Sequence, residues 1–398
     1  MGRKPTLLVP LTFGIAFFLG VESGGFQLVL LQVAEEFALA PVKMGGVVTS
    51  QFIAIVMGPL LFGWVSDRIG KKTILLYGMI VFIVGCFGAA LSPAVVFFTC
   101  CVFILGLGFS VCECIGSSFL SDSFPGKESA YLNIMQCAFS LGAVLSPLVF
   151  SRLMLAGFIS WRTVFWAAGG GYALIYPLLI LSRGTRPFTE SAGTQKKVLP
   201  SVSEPAAERA AASEAPGVFS PFFIILVFSM VICVAVEAGI GYFADSLFVT
   251  EFNNTKMGAY AISGFWFSMA VSRFVFSRIK MKPQTMVMLG FLSICLLLLF
   301  SLPFRKANIL LAAFFFLGFA TGPVWPMIVG IGASLNQKRS GTSVSILTAF
   351  GGLGGMIMPV LIGLIAEWKG FFNSFWLLAI FSALGFLIMR LGTRKRKT

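Results

Sequence analysis

Long apolar runs separated by short polar gaps constrain this chain more than any other feature of its sequence. They lie at residues 6–33, 44–66, 73–92, 94–121, 130–155, 162–182, 218–248, 257–279, 285–302, 307–334, 341–366 and 371–391. Most are at least as long as the roughly 20 residues that an α-helix needs to cross a bilayer. With 58% hydrophobic and only 11% charged residues, 398 residues cannot hide this much apolar surface from water. The sequence therefore predicts an all-α membrane protein with one transmembrane helix per run, and it excludes a soluble enzyme.

The formal net charge of +14 follows the gaps between the runs and does not mark one exposed face. Lys and Arg are enriched in alternate gaps and at both termini, by roughly three to one over the remaining gaps, and such enrichment is typical of the cytoplasmic side. We therefore expect a multi-pass protein of the cell (plasma or inner) membrane with both termini in the cytoplasm. Because the charge is explained by topology, we expect no nucleic-acid partner.

The cysteines give no sign of a metal site. All eight lie inside apolar runs, the chain has no histidine, and the pair Cys112-x-Cys114 has no second pair at ligand spacing. We expect them to be small packing residues, and we expect neither a metal nor a cofactor.

A polar stretch and a set of repeated patterns divide the chain in two. Residues 183–217 have the composition of a flexible cytoplasmic linker between an N-terminal six-helix bundle at 1–182 and a C-terminal one at 218–398. The patterns Val21-Glu22-Ser23-Gly24, Leu105-Gly106 and Leu141-Gly142 with Pro147 recur, at a nearly constant spacing, as Val236-Glu237-Ala238-Gly239, Leu317-Gly318 and Leu353-Gly354 with Pro359. Such a duplication predicts two pseudo-symmetric bundles with a site between them near the bilayer midplane.

The gap after the second run carries a recognisable motif, Gly63-Trp64-Val65-Ser66-Asp67-Arg68-Ile69-Gly70-Lys71-Lys72-Thr73. It resembles the G-x-x-x-D-R-x-G-R/K-R/K signature of the major facilitator superfamily. The resemblance implies the major facilitator fold, whose two bundles rock against each other in alternating access. Glycine at the first position lets helices approach closely, and glycine after the arginine permits a tight turn. We expect a cytoplasmic gate formed by Gly63, Asp67, Arg68, Gly70, Lys71 and Asp122, the alternative being charge that only sets topology.

Three later segments are similar to the fucose–galactose–glucose proton-symporter branch of that superfamily. They are Leu132-Asn133-x-x-Gln136-x-x-Phe139-Ser140-x-Gly142-Ala143, Gly322-Pro323-Val324-Trp325-Pro326 and the glycine-rich residues 351–359. The resemblance implies uptake of a monosaccharide with a proton, and it places Glu113 close to the branch's functional acid in the fourth run. The branch's acid in the first run is replaced by Gln27, with Glu22 about one turn earlier. The fifth run lacks the Gly-Pro and paired glycines of drug antiporters.

Three glutamates, Glu22, Glu113 and Glu237, lie deep in apolar runs. Placing a carboxylate at the bilayer centre costs about 2.5–3.5 kcal/mol, so each needs a reason to be there. Since an apolar environment favours the protonated, neutral form, and the chain has no histidine, we interpret them as proton-coupling groups. Structural hydrogen bonds between helices are the alternative.

Polar and aromatic side chains in the same runs are suited to a hydroxyl-rich solute. Our candidates are Gln27, Gln51, Asn133, Gln136, Trp266 and Trp325. Amides both donate and accept hydrogen bonds, and Trp325 lies between prolines that interrupt a helix where backbone can line a cavity. Amide bonds between helices, and simple ring packing, are the alternatives. For Arg273 three roles remain open: binding an anionic ligand, pairing with an acid of the other bundle, or snorkelling to the interface.

The sequence thus predicts a monomeric secondary transporter for a small polar solute, first of all a monosaccharide, taken up in symport with a proton, or with sodium in its place. Proton-coupled efflux of amphipathic or drug-like compounds is the main alternative. A non-transporting membrane sensor on the same scaffold is another.

Overall fold

The computed structural model describes residues 7–124, 128–182, 220–276, 278–279, 281–335 and 340–395; for residues 63–68, 121–122, 128–130, 133, 340–342, 345 and 395 the description is limited to the backbone. The helices of the first half are α1 (Leu8–Glu36), α2 (Pro41–Ile69), α3 (Lys71–Ala90), α4 (Val95–Ser123), α5 (Glu128–Leu155) and α6 (Arg162–Leu181). Those of the second half are α7 (Pro221–Phe252), α8 (Thr255–Phe276), α9 (Pro283–Ser301), α10 (Ala307–Thr321), α11 (Val324–Leu335), α12 (Ser340–Lys369) and α13 (Phe371–Lys395), with a 3-10 turn at Leu302–Phe304.

Within the described residues, 12 helical segments are long and apolar enough to cross a membrane, α10 and α11 together forming one of them. The predicted twelve-helix membrane fold is confirmed, and the helix ends differ from the predicted ones by only a few residues. The predicted linker, 183–217, lies outside the described residues.

The interruption between α10 and α11 follows from two prolines. Pro323 and Pro326 have no backbone N–H, so the carbonyls of Phe319 and Gly322, four residues earlier, lose their helical donors. The structure ends α10 at Thr321 and resumes the helix at Val324. The predicted break is confirmed, and it leaves a carbonyl group available to a side chain from another helix.

The two halves repeat the same helix pairings. In the first half α1 packs on α5, α2 on α4 and α3 on α6; in the second, α7 packs on α12, α8 on α10 and α9 on α13. Repeat-related glycines lie in one of these pairings. A Cβ atom on Gly142 of α5 would overlap the Phe17 carbonyl of α1, and a Cβ atom on Gly354 of α12 would overlap the Val231 carbonyl of α7. The sequence repeat is therefore matched by a repeat of contacts.

Contacts between the halves involve mainly α2 with α12, α5 with α8, and α1 with α7. We call the end of the bundle where α1 begins and α13 finishes the terminal end, and the opposite end the far end. Thr49 Oγ1 donates to the carbonyl of Met356 over 2.6 Å, and Ser263 Oγ donates to that of Val144 over 3.0 Å. Close contacts of α2 with α12 extend from Pro41 at the far end to Val56, and they hold the far end closed.

Candidate functional site

A chain of hydrogen bonds joins a buried acid of the first half to the second half. Gln51 Nε2 on α2 donates to Glu22 Oε1 on α1 over 3.0 Å, and Gln51 Oε1 accepts from the hydroxyl of Tyr242 on α7 over 2.8 Å. Glu22 is fully buried, and its Oε2 has no hydrogen-bond partner among the described residues. The Tyr242 ring also packs edge-on against Phe26, at 5.7 Å between centroids. The carboxyl of Glu22 is thus linked, through one amide, to the contact between the halves.

A second amide makes a parallel connection. Trp266 Nε1 on α8 donates to Gln27 Oε1 on α1 over 2.9 Å, and the indole packs edge-on against Phe139 of α5 at 5.5 Å. Gly241 on α7 leaves room for the amide, because a Cβ atom there would lie 2.8 Å from Gln27 Nε2. Gln27 and Gln51, both predicted to bind the solute, therefore each accept a hydrogen bond from an aromatic residue of the second half.

Nearer the terminal end lies a charged group, Glu113, Gln136, Glu237 and Arg273, whose members are all half-buried. Gln136 on α5 hydrogen-bonds the Glu113 carboxyl on α4, and this carboxyl interacts electrostatically with Glu237 on α7 and Arg273 on α8. Arg273 in turn interacts with both acids. The group brings together four helices from both halves, and we call it the charged cluster.

The guanidinium of Arg273 points into the bundle and does not snorkel toward the interface. Its Nε donates over 3.2 Å to the carbonyl of Gly322, the same carbonyl that Pro326 leaves without a helical donor. Among the described residues, neither Glu113 nor Glu237 forms an ion pair with Arg273 within 4.0 Å. The cluster therefore consists of one cation and two acids that act on each other electrostatically without direct contact.

The repeat-related acids have different partners. Glu22 faces an amide on α2, whereas Glu237 faces a guanidinium on α8, the helix that corresponds to α2 in the second half. The repeat-related acids thus have an uncharged partner in one half and a positively charged partner in the other.

The profile of the Major Facilitator Superfamily matches this sequence at residues 12–333 and again at 226–398. The chain belongs to the major facilitator superfamily. As a superfamily member it is a transporter and not an enzyme, which confirms the coarse functional prediction.

Individual relatives agree with this assignment. The chain is 27% identical over 370 residues to the 3-(3-hydroxy-phenyl)propionate transporter of Escherichia coli (strain K12), with 90% of this chain and 86% of that protein covered. It is 21% identical over 354 residues to the Protein TsgA homolog of Buchnera aphidicola subsp. Schizaphis graminum (strain Sg), with 87% and 86% covered. Its fold is similar to that of a bacterial homologue of the human lysosomal transporter Spinster, which was solved in an inward-facing and occupied conformation. The TM-score is 0.75 and the sequence identity 13%, with 99% of this chain and 98% of that one covered.

The superfamily's loop motif is described in part. Gly70 has a φ of 102° and precedes the first residue of α3, so the predicted tight turn is present. Lys71 Nζ donates to the carbonyl of Ser118 over 3.2 Å and to its Oγ over 2.5 Å, which ties α3 to α4. The side chains of Asp67, Arg68 and Asp122 lie outside the described part of the structure, Gly63 is described only by its backbone, and the gate stays a prediction.

Of the two remaining candidates for solute binding in this transporter, Trp325 is described with its side chain and Asn133 is not. Trp325 is half-buried at the start of α11, where it packs against the hydrophobic core. The side chain of Asn133 lies outside the described part.

The sequence reasoning missed Tyr242, although a tyrosine inside an apolar run is a usable signal because a buried hydroxyl normally has a hydrogen-bond partner. Asp245, seven residues before the end of α7, is also more buried than its position near the end of an apolar run suggests. Only 1% of it is exposed, and both carboxylate oxygens have no hydrogen-bond partner among the described residues.

Proposed function

We propose that this superfamily member is a symporter that takes up a small polar solute together with a proton by alternating access. The observation that carries the proposal is the charged cluster, in which Glu113 and Glu237, one from each half, share a single cation, Arg273. Binding or release of one proton changes the charge balance at the place where the halves meet. Protonation therefore alters the relative free energies of the conformations closed at either end.

The hydrogen bonds that Gln51 forms with Glu22 and with Tyr242 support a role for Glu22 in the same coupling. Its carboxyl is connected through Gln51 to Tyr242, so a change in its protonation acts on a hydrogen bond between the halves. With the terminal end placed in the cytoplasm, as the Lys and Arg distribution predicts, the far-end contacts close the outer side.

A monosaccharide is the first solute to test. Gln27 and Gln51 offer amides, and Trp266 and Tyr242 offer ring surfaces with a polar tip, at one level of the contact between the halves. These are the groups that sugar hydroxyls and pyranose faces pair with. In this conformation they pair with one another, so a bound sugar would replace hydrogen bonds between the halves. The similarity to the fucose–galactose–glucose branch supports the same choice.

The test is an external-pH trace on de-energised cells or vesicles that contain the protein, with sugars added one at a time. Symport predicts alkalinisation of the medium on addition of one sugar, and Glu113→Gln is expected to abolish it. Glu367→Gln, at an exposed glutamate near the far end of α12, is the matched control and is expected to keep the signal. Flat traces from folded wild-type protein would contradict proton–sugar symport, and uptake stimulated by sodium but insensitive to pH would assign the coupling to sodium.

Proton-coupled efflux of an amphipathic compound is the second candidate. It is favoured by the aromatic contacts between the halves, in which Phe26 and Phe52 both pack on Tyr242. Antiport predicts that an amphipathic cation collapses a preformed proton gradient in inside-out vesicles, whereas symport of a sugar predicts no effect of that compound.

A further inference from the structure

We infer that the transported solute carries a carboxylate, which binds the guanidinium of Arg273 opposite Glu237. This inference rests on the transport function proposed above and narrows its polar solute to an organic acid, with sugar acids included.

The position of Arg273 suits it to a ligand. The Nε–H is used by the Gly322 carbonyl, which fixes the plane of the guanidinium at the break between α10 and α11. The two terminal nitrogens have no hydrogen-bond or ion-pair partner among the described residues. A planar guanidinium with free N–H groups on one edge matches a carboxylate, which it binds through two parallel hydrogen bonds.

The charges around Arg273 couple such a ligand to a proton. The titratable groups that face it are Glu237 and Cys233 on α7, Glu113 on α4 and Cys137 on α5, while the break between α10 and α11 contributes the uncharged Gly322 carbonyl. A solute carboxylate adds a negative charge beside two acids that share one cation. Protonation of Glu237 removes this excess, and the protonated carboxyl donates its O–H to the solute carboxylate. The anion and the proton therefore bind together and leave together.

The far ends of α5 and α8, the helices that carry Gln136 and Arg273, are also positively charged. A cavity of about 160 Å³ between α5 and α8 is lined by Ser151, Arg152, Leu155, Lys256 and Tyr260. Two of these residues are cations and none is an acid, so the cavity attracts anions. It lies where α5 and α8 meet at the far end, and Gln136 and Arg273 lie farther along the same two helices. The contact between α5 and α8 thus carries two cations at its far end and Arg273 nearer its terminal end.

The experiment compares carboxylates with their uncharged counterparts on purified protein in lipid nanodiscs at constant ionic strength. The pairs are benzoate with benzamide, 3-phenylpropionate with 3-phenylpropionamide, and gluconate with glucose, and binding is measured by thermal unfolding and tryptophan fluorescence. At least one carboxylate is expected to bind ten-fold or more tightly than its counterpart. Arg273→Gln is expected to abolish this preference, while Arg390→Gln, at an exposed arginine on α13, keeps it.

The dependence on pH tests the role of Glu237 separately. Binding of the carboxylate is expected to tighten as pH falls from alkaline to mildly acidic values, because the protonated form of Glu237 is the one that accommodates it. In Glu237→Gln, which imitates the protonated form, binding is expected to be tight at all of these pH values. A purely structural role of Arg273 at the Gly322 carbonyl would produce neither the carboxylate preference nor this pH profile.

The possible failures are distinguishable. Equal binding of carboxylates and amides, or a preference that survives Arg273→Gln, overturns the inference, and if that variant does not fold the comparison on wild-type protein decides. Sugar-driven alkalinisation in a protein that prefers no carboxylate overturns the inference and leaves proton symport standing. A carboxylate that binds at Arg273 but is not taken up into proteoliposomes overturns the transport proposal and supports the binding site.

Discussion

The indole N–H of Trp266 on α8 donates to the side-chain oxygen of Gln27 on α1 over 2.9 Å. Tyr242 on α7 makes the equivalent connection to Gln51 on α2 over 2.8 Å. In both, an aromatic residue of the second half donates to an amide of the first. The halves are thus joined near their centre by neutral hydrogen bonds, which a polar solute can replace without a change in net charge.

The Trp266–Gln27 bond predicts a measurable coupling between the two residues. We expect Trp266→Phe and Gln27→Ala to destabilise the protein non-additively, with a coupling free energy of about 0.6 kcal/mol, typical of such bonds in membranes. A double-mutant cycle on thermal unfolding in nanodiscs measures it. The control pair is Gln27→Ala with Trp376→Phe on α13, whose effects on stability are expected to be additive. Coupling in the control pair, or no coupling between Trp266 and Gln27, would contradict the predicted contribution of the Trp266–Gln27 hydrogen bond.

For Glu22 we expect the amide substitution to be milder than the apolar one. Glu22→Gln keeps an oxygen that accepts from Gln51 Nε2, whereas Glu22→Leu leaves that buried donor without an acceptor. The free-energy difference should be about 1–3 kcal/mol, the usual cost of an unsatisfied buried polar group. Thermal unfolding of both variants decides the matter, and a leucine variant as stable as the glutamine variant would show that the bond does not stabilise the fold.

Repeat-related glycines are expected to be equally intolerant of a methyl group. Gly142→Ala and Gly354→Ala would each force a Cβ atom into a carbonyl of the neighbouring helix, at a cost of about 1–3 kcal/mol. The matched controls are Gly46→Ala and Gly330→Ala, where a Cβ atom meets nothing within 4 Å. Expression and thermal stability of the four variants test this, and loss of stability in the controls alone would be the contrary result.

The ion pair between Glu36 and Arg162 is expected to matter little. Arg162 binds both carboxylate oxygens, at 2.6 and 2.7 Å, and joins the far ends of α1 and α6. Because the two side chains are 39% and 29% exposed, the pair should contribute about 0.2–1 kcal/mol and lose most of that at high salt. Unfolding of Arg162→Leu is compared with that of wild type at low and high salt. Arg162 also donates to the carbonyl of Ser92 over 3.1 Å, so the part of the loss in Arg162→Leu that high salt removes measures the pair. A salt-dependent loss above this range would disprove the prediction.

The backbone was predictable because each signal is local in sequence. A run of apolar residues must form a helix in lipid, since no water is present to satisfy its peptide groups. The break at Pro323 and Pro326 and the turn at Gly70 likewise depend on one residue's own backbone chemistry, and both occur where they were expected.

The side-chain partners were predictable only in part. Gln27 and Gln51 were selected because polar groups are rare in such runs, but nothing in the sequence indicates that their partners are Trp266 and Tyr242. The inward direction of Arg273 depends on the carbonyl of Gly322, which lies 49 residues away in sequence, at the break between α10 and α11.

The sequence by itself thus determined the number of helices, their ends, the internal repeat and the residues that are costly to bury. Only the tertiary structure decided which of those residues meet: Glu22 with Gln51, and Glu113 and Glu237 around Arg273. The physical reason is that a helix apolar on all sides carries no stripe that fixes its rotation about its own axis. Its rotation is set by contacts with neighbouring helices, such as those at Gly142 and Gly354, and these exist only once the helices have packed together.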